Sequence, residues 1–495
     1  MIELTAGRIA TLSNGRLSPT LDAATLFDVA AIATDSRQCR AGSLYVAKPG
    51  EHSDGHDFIE AALLAGVSGV LAERQTLRED GSAAPAIVVQ DAVQAMGLIA
   101  AEVVRELRER GTLNVVGITG SAGKTTTKDL LEGILSSQAP TVAPIGSFNG
   151  EIGVPLTVFR ADETTRNLIV EMGATGRGHI AYLAGIVRPA VGVVLGVGHA
   201  HAGEFGGIDN IAQAKGELVE ALEPTGIAVL NLADSRVVEM AHRTKAGVLW
   251  FGEEGVELPA DAAADAPVVR ALNVRTDALA QPEFDLQFPD GSSYPVASGL
   301  IGLHHVTNLL AAAAAAWALG VPGDAIARAL HGQGPKSRWR MERVERADGV
   351  TVINDAYNAN PESMRAALRT LAELGRTAEP PRRTWAVLGP MFELGEDSIA
   401  EHHALGQVVV RLNISRLLVI GAPARAMHIG AVNEGSWGDE SVHVATVEEA
   451  YELLNEELRP GDIVLFKSSR DAGLRHLGDQ IAWGQPEGGG EASER

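Results

Sequence analysis

One stretch constrains this chain more than any other. GITGSAGKTTTKDLL, residues 117–131, directly follows the apolar run at 113–116. A short β-rich run, a glycine turn and a helix opening on lysine is how a chain cradles phosphate. The strict form of the pattern needs glycine at position 118, where Ile118 stands. A shorter Gly120-x-x-Gly123-Lys124-Thr125 version remains, and its mechanics survive. The turn's backbone N–H groups point inward, Lys124 reaches the β- and γ-phosphates, and the Thr125 hydroxyl suits Mg²⁺. Ser121 and Thr126, in the same turn, count among the expected nucleotide contacts. The competing reading is a glycine-rich turn carrying a surface lysine. The strand before it and the helix after it favour phosphate.

The chain's 495 residues, 45% of them apolar, exceed one comfortable core and predict two or three domains. Aromatic residues make up 4% against 55 glycines, a composition that suits close-packed α/β layers. A net charge of -22 argues against nucleic-acid binding, which needs basic stripes. Any anionic ligand must therefore be met by local basic groups and helix N-termini. Cys39 is the sole cysteine, so neither an intrachain disulfide nor a cysteine zinc cage can form. The opening MIELTAGRIATL lacks the pattern of a secretory signal, and the apolar run 311–319 is far too short to span a membrane. These features predict a soluble, cytoplasmic protein, with a monomer as the default expectation. The tail QPEGGGEASER, 485–495, reads as disordered.

Residues 1–107 alternate short β-like runs (42–48, 69–72, 86–89) with helical stretches, the longest at 91–108. Residues 108–322 repeat buried strand and helix. The runs 115–118, 168–171, 191–195, 227–230 and 248–251 are short and apolar but for Glu171, as in parallel sheets covered on both faces. A surface excursion is expected at 253–267 and a hairpin at 284–296, around Pro289-Asp290-Gly291. Residues 323–484 form a third βα series, with strands at 350–354, 385–388, 417–420 and 463–466. Helices at 361–374, 400–412 and 447–458 separate them. The expectation is an α/β protein of three domains. A doubly wound, mainly parallel ATPase sheet stands in the middle, between a small α/β unit and a Rossmann-like one.

Other residues sit where such sheets bind ligands. Glu171 closes the strand-like run of LIVEMGA, at the strand end that lines the crevice, as a Mg²⁺ ligand or a satisfied buried carboxylate. His199 and His201 lie in the glycine-rich turn GHAHAGEFGG, too few for a zinc site. Lys215 falls on a helix, where spacing alone reads as a solvated charge. Asn308 is on a helix, and Arg340 precedes the third block's first strand. Asp355, Tyr357, Asn358 and Asn360 fill the turn NDAYNANP after that strand, as ligand groups or as ordinary turn chemistry.

Taken together, TGSAGKTTTKDLL, FNGEIGVPLT, EMGATGRGHIAYL, GHAHAGEFGG with AQAKGEL, GLHHVTNLLAAAA, RWRMERV and NDAYNANPESM resemble the Mur ligase family, in order across essentially the whole chain. These are amide-forming ATP enzymes of peptidoglycan synthesis. DSRQCRAGSLYVAKPGEHSDGHDFI and LGPMFELGEDSIAEHHALG look most like the branch that joins D-alanyl-D-alanine to a UDP-N-acetylmuramoyl-tripeptide. The resemblance implies a UDP-sugar domain, a central ATPase and a closing C-terminal domain. It implies that Lys124 holds ATP phosphates, that Thr125, Glu171 and His201 serve two Mg²⁺ ions, and that Lys215 is the family's carbamylated lysine. It puts Asn308 at adenine, Arg340 and Asp355 on ATP, and Ser36 and Arg37 beside the uridine diphosphate. Asn149, Tyr357, Asn358 and Asn360 fall to substrate. The chain departs from the usual pattern at Ser147 and Gly150, at Pro390 and at KSSRDAG. A sibling ligase adding the third amino acid, a folate–glutamate ligase and a non-catalytic nucleotide-binding relative are the rival readings. The N-terminal segment weighs against the folate enzyme, and the intact Lys124, Glu171, His201 and Lys215 weigh against the last.

Overall fold

A computed structural model of the chain describes residues 2–50, 53–111, 113–198, 202–436 and 438–484. Three sheets of four or more strands organise it, one per expected domain. The first runs Arg16–Leu17, Ala86–Val88, Gly69–Ala72, Leu44–Ala47, parallel except for its first pair. A ribbon of Glu3–Thr5 and Leu26–Asp28 lies beside it. The helix Ala92–Arg110, capped by the Asp91 side chain, shares one apolar core with the helix His179–Val187 of the central domain. Gly97 lets them meet, since a Cβ there would lie 2.2 Å from the Tyr182 hydroxyl.

The central sheet has nine strands. From Thr141–Val142 at one edge it runs parallel through Asn167–Glu171, Asn114–Thr119, Val191–Val194, Ile227–Asn231, Gly247–Glu253 and Val268–Thr276. The antiparallel hairpin Pro282–Gln287 and Ser293–Ala297 closes the far edge. Successive residues alternate faces: Leu168 and Val170 join one apolar layer and Ile169 the opposite one. Burial on both faces is why these strands read as near-continuous apolar runs, and each such side chain contributes about 1.5–3 kcal/mol. The alanine-rich run at 311–316 is buried within the helix His305–Ala318, which packs on this sheet.

The chain crosses from the Asn114–Thr119 strand to one side, then returns to place Val191–Val194 on its other side. That reversal opens a crevice at the carboxyl end of the central strand, where the phosphate loop sits. The helix Gly323–Leu330 packs against the hairpin and the helix Lys124–Ser136, so it belongs with the central domain. The third sheet runs Glu342–Glu345, Thr351–Asn354, Ile463–Lys467, Thr384–Leu388, Arg416–Ile420, Ser441–Val444, parallel except for its first pair. No helix among the described residues is long and apolar enough to cross a membrane.

Candidate active site

The phosphate loop owes its shape to two glycines. Gly120 and Gly123 have φ of 156° and 83°, conformations that L side chains rarely adopt. Gly123 also has no room for a Cβ, which would lie 2.2 Å from Asn308 Oδ1. It N-caps the helix Lys124–Ser136, whose first-turn N–H groups face the crevice as an anion site. Ser121 anchors the loop to the neighbouring strand end. Its N–H donates to Gly196 O at 3.0 Å, and its hydroxyl donates to Gly198 O at 3.1 Å while accepting from Gly198 N at 2.8 Å.

Lys124 is half-buried and donates to Gly120 O at 2.8 Å. Burial lowers its pKa, the Glu171 carboxylate pulls it back up, and Arg340 lowers it further. Thr125 and Glu171 are 2% and 1% exposed. The Thr125 hydroxyl donates to Glu171 Oε2 at 2.9 Å and meets Ser147 Oγ at 2.9 Å. Asn149 Nδ2 donates to the other Glu171 oxygen at 2.8 Å. Arg340 Nη2 donates to both hydroxyls, Thr125 at 2.8 Å and Ser147 at 2.9 Å. Two hydroxyls and a carboxylate, all oxygen and all buried or half-buried, are the donor chemistry of Mg²⁺ and not of zinc. Among the described residues no three His, Cys, Asp or Glu side chains form a ready-made metal cage.

Lys215 lies on the helix Ile208–Glu220, which runs beneath the same crevice, and is 5% exposed. The solvated charge that helical spacing suggested is therefore a buried amine. Burial, helped by the charge of Lys124, lowers its pKa to about 7. That shift favours the free amine, the nucleophilic form, far more than for an ordinary lysine. His199 and His201 lie outside the described residues.

Asn308 is buried against Gly123 of the loop. Thr127 Oγ1 donates to its carbonyl at 3.3 Å, and its amide meets His305 Nδ1 at 3.1 Å. Burial pushes His304 down to about 4 and His305 well below its ordinary value, favouring the neutral imidazole in both. His305 Nε2 and Arg340 Nε are buried with no hydrogen-bond partner among the described residues. Their side chains line a narrow cavity of about 10 Å³ with Thr126, Asp129 and Ser337.

The third domain is seated on this loop. Asn360 N-caps the helix Pro361–Thr377 in a capping box with Ser363, and its amide also donates to Ser121 O at 3.3 Å. Gly203 N donates to Glu393 O at 3.1 Å, and a Cβ on Gly198 would lie 2.9 Å from the Glu362 carboxyl carbon. Tyr357 lies 4.4 Å beneath the Arg340 guanidinium, and Asn358 Oδ1 accepts from Ala359 N at 2.9 Å. Asp355 pairs with Lys467 at 2.6 Å. The cluster thus gathers Gly120, Ser121, Gly123, Lys124, Thr125, Asn149, Glu171, Arg340, Tyr357 and Asn360. Ser36 and Arg37 belong to a turn of the first domain, Ser36–Gln38, where the Asp35 carboxylate caps the Arg37 N–H and pairs with its guanidinium.

Ser147 and Lys467 carry contacts that motif reasoning did not assign. Ser147 stood out only as a departure from a pattern. Lys467 ends the buried run IVLFK, and a lysine at the carboxyl end of such a strand was a signal of its own.

Known proteins supply the context for this arrangement. Three family models match in chain order: Mur ligase family, catalytic domain (28–106), Mur ligase middle domain (118–316) and Mur ligase, glutamate ligase domain (339–470). A UDP-N-acetylmuramoyl-tripeptide–D-alanyl-D-alanine ligase of Mycobacterium bovis is 43% identical, over 97% of this chain and 98% of its own. The enzyme of the same name from Escherichia coli K12 is 33% identical, over 96% and 98%. Among solved structures, MurF from Acinetobacter baumannii superposes with a TM-score of 0.84 at 30% identity, covering 97% of this chain and 99% of that one. MurF from Thermotoga maritima, solved with ADP, gives 0.76 at 26% identity, over 92% and 98%. Agreement over nearly the full length, in sequence, in three family models and in fold, makes this chain a member of the Mur ligase family.

Proposed function

We propose that this chain is an ATP-dependent ligase that joins D-alanyl-D-alanine to UDP-N-acetylmuramoyl-tripeptide, for peptidoglycan precursor synthesis in the cytoplasm. One observation carries the reading. Arg340 reaches from the edge of the third domain onto the same Thr125 hydroxyl that bonds Glu171, so groups from two domains converge on one phosphate site. The names of relatives alike over nearly the whole chain supply the substrates.

A carboxylate is a poor acyl donor, so ATP must activate it. The tripeptide's terminal carboxylate attacks the γ-phosphorus, ADP leaves, and an acyl phosphate results. Lys124 and Arg340 hold positive charge against the transferred group in a crevice that the third domain covers. Thr125, Glu171 and Ser147 would hold Mg²⁺, with His201 added by the family resemblance. Bound there, the ion would neutralise phosphate charge. The unprotonated amine of D-alanyl-D-alanine then attacks the acyl carbon, and a tetrahedral intermediate expels phosphate. Closure over the loop keeps water from the acyl phosphate. Lys215 would act as a carbamate, formed when its free amine attacks CO₂ and releases a proton, which turns a cation into an oxygen ligand. Asn308 and Thr126 would lie on the adenosine side. Ser36 and Arg37 would meet the uridine diphosphate.

Mass spectrometry of the product tests the substrate. UDP-N-acetylmuramoyl-tripeptide, ATP and D-alanyl-D-alanine should give the pentapeptide. A tripeptide product from the dipeptide precursor and a third amino acid, with no pentapeptide, would instead assign the sibling activity. Running lysine- and diaminopimelate-containing tripeptides side by side identifies the preferred third residue.

A further inference from the structure

The third domain holds one buried cation whose contacts converge on the seat of Arg340. Lys467 ends the strand Ile463–Lys467 and is 3% exposed. Asp355 follows the adjacent parallel strand Thr351–Asn354, so sheet pairing brings the two side by side. The Lys467 ammonium bonds an Asp355 carboxylate oxygen at 2.6 Å and the main-chain oxygens of Asp355 and Asn358 at 3.3 and 3.1 Å. These three acceptors use the three protons of an ammonium. The other Asp355 oxygen accepts from Met341 N at 3.1 Å. Tyr357, inside the turn so fixed, donates its N–H to Trp339 O at 3.2 Å and lies beneath the Arg340 guanidinium.

Arg340 stands between two residues in left-handed conformation, Trp339 at φ 59° and Met341 at φ 53°. Side chains larger than glycine adopt that region only where their surroundings hold them there. Both flanks are held: Trp339 Nε1 donates to Asp479 Oδ2 at 2.9 Å, and Met341 N is bound by Asp355. The kink lays Arg340 over Tyr357 and extends it onto Thr125 and Ser147.

We infer that Lys467 is a positioning residue for phosphoryl transfer. Through Asp355 and the turn at 355–358 it fixes the kink that presents Arg340 to the phosphate loop, and it does not touch ATP itself. Asp355 then acts as a strut, with one oxygen on Lys467 and the other on Met341. The inference rests on the reading of Arg340 as a nucleotide-facing group.

A double-mutant cycle of Lys467→Met and Arg340→Ala tests it. Lys467→Met should lower kcat/KM for ATP about ten- to a hundredfold, while KM for D-alanyl-D-alanine stays within about twofold. In the Arg340→Ala background the same change should cost less than about threefold, because the group it positions is gone. Lys467→Arg, which keeps the charge, should recover part of the loss. An equal fractional loss in both backgrounds, or an unchanged kcat/KM in the single variant, overturns the proposal. Should the single variant fail to fold around its unpaired carboxylate, Lys467→Met with Asp355→Leu removes both charges and enters the same cycle with the same criteria. An Arg340→Ala enzyme of unimpaired turnover would overturn the reading of Arg340, and this proposal with it.

Discussion

A Lys124→Ala variant should lose about 10²–10³-fold in turnover while its melting temperature does not fall. The loss follows from position. Lys124 is the cation at the head of the loop helix, on the Gly120 carbonyl. The stability expectation follows from the sign of its pKa shift. Burial disfavours the ammonium, so folding works against this charge and its removal relieves that cost. Steady-state kinetics with a thermal melt check both halves. Turnover within tenfold of the parent would show that Lys124 does not face the transferred phosphate.

Lys215→Ala should lower turnover by about 10²-fold, and the native enzyme should lose activity in CO₂-free buffer and regain it with bicarbonate. The amine titrates near about 7 in the folded chain against its ordinary 10.5. Carbamate formation needs the unprotonated amine, so occupancy should rise between pH 6 and 8. The same shift affects stability. Between about 7 and 10.5 the unfolded chain binds more protons, so stability rises with pH across that window. Below about 7 the full cost of burying the ammonium is present. With ¹³C-bicarbonate, a carbamate resonance should appear at pH 8, weaken toward pH 6 and be absent from Lys215→Ala. No such resonance, together with activity indifferent to CO₂, would contradict the assignment.

The elements that could be read from sequence are those set by local pattern. Apolar runs marked five strands of the middle sheet and four of the third, but not Thr141–Val142, Val268–Thr276, Glu342–Glu345 or Ser441–Val444, and Gly120 and Gly123 marked a turn that only glycine can make. The helix expected at 361–374 does start at Pro361, and the structure adds that Asn360 both caps it and reaches Ser121. What spacing left hidden depends on packing between distant segments. Lys215 looked like a solvated charge until the fold buried it. Asn308 lies against Gly123 because the helix His305–Ala318 packs against the helix Lys124–Ser136, a contact no periodicity encodes. Motif resemblance placed Arg340 near ATP, but its aim depends on two left-handed residues with no sequence signature, Trp339 and Met341.

The most direct test of the central claim is ADP release by the purified protein. ADP should form at a sustained rate only when UDP-N-acetylmuramoyl-tripeptide and D-alanyl-D-alanine are both present, one ADP for each amide bond made. Equal release without the dipeptide would mean that ATP cleavage is not committed to making that bond, and would contradict the account.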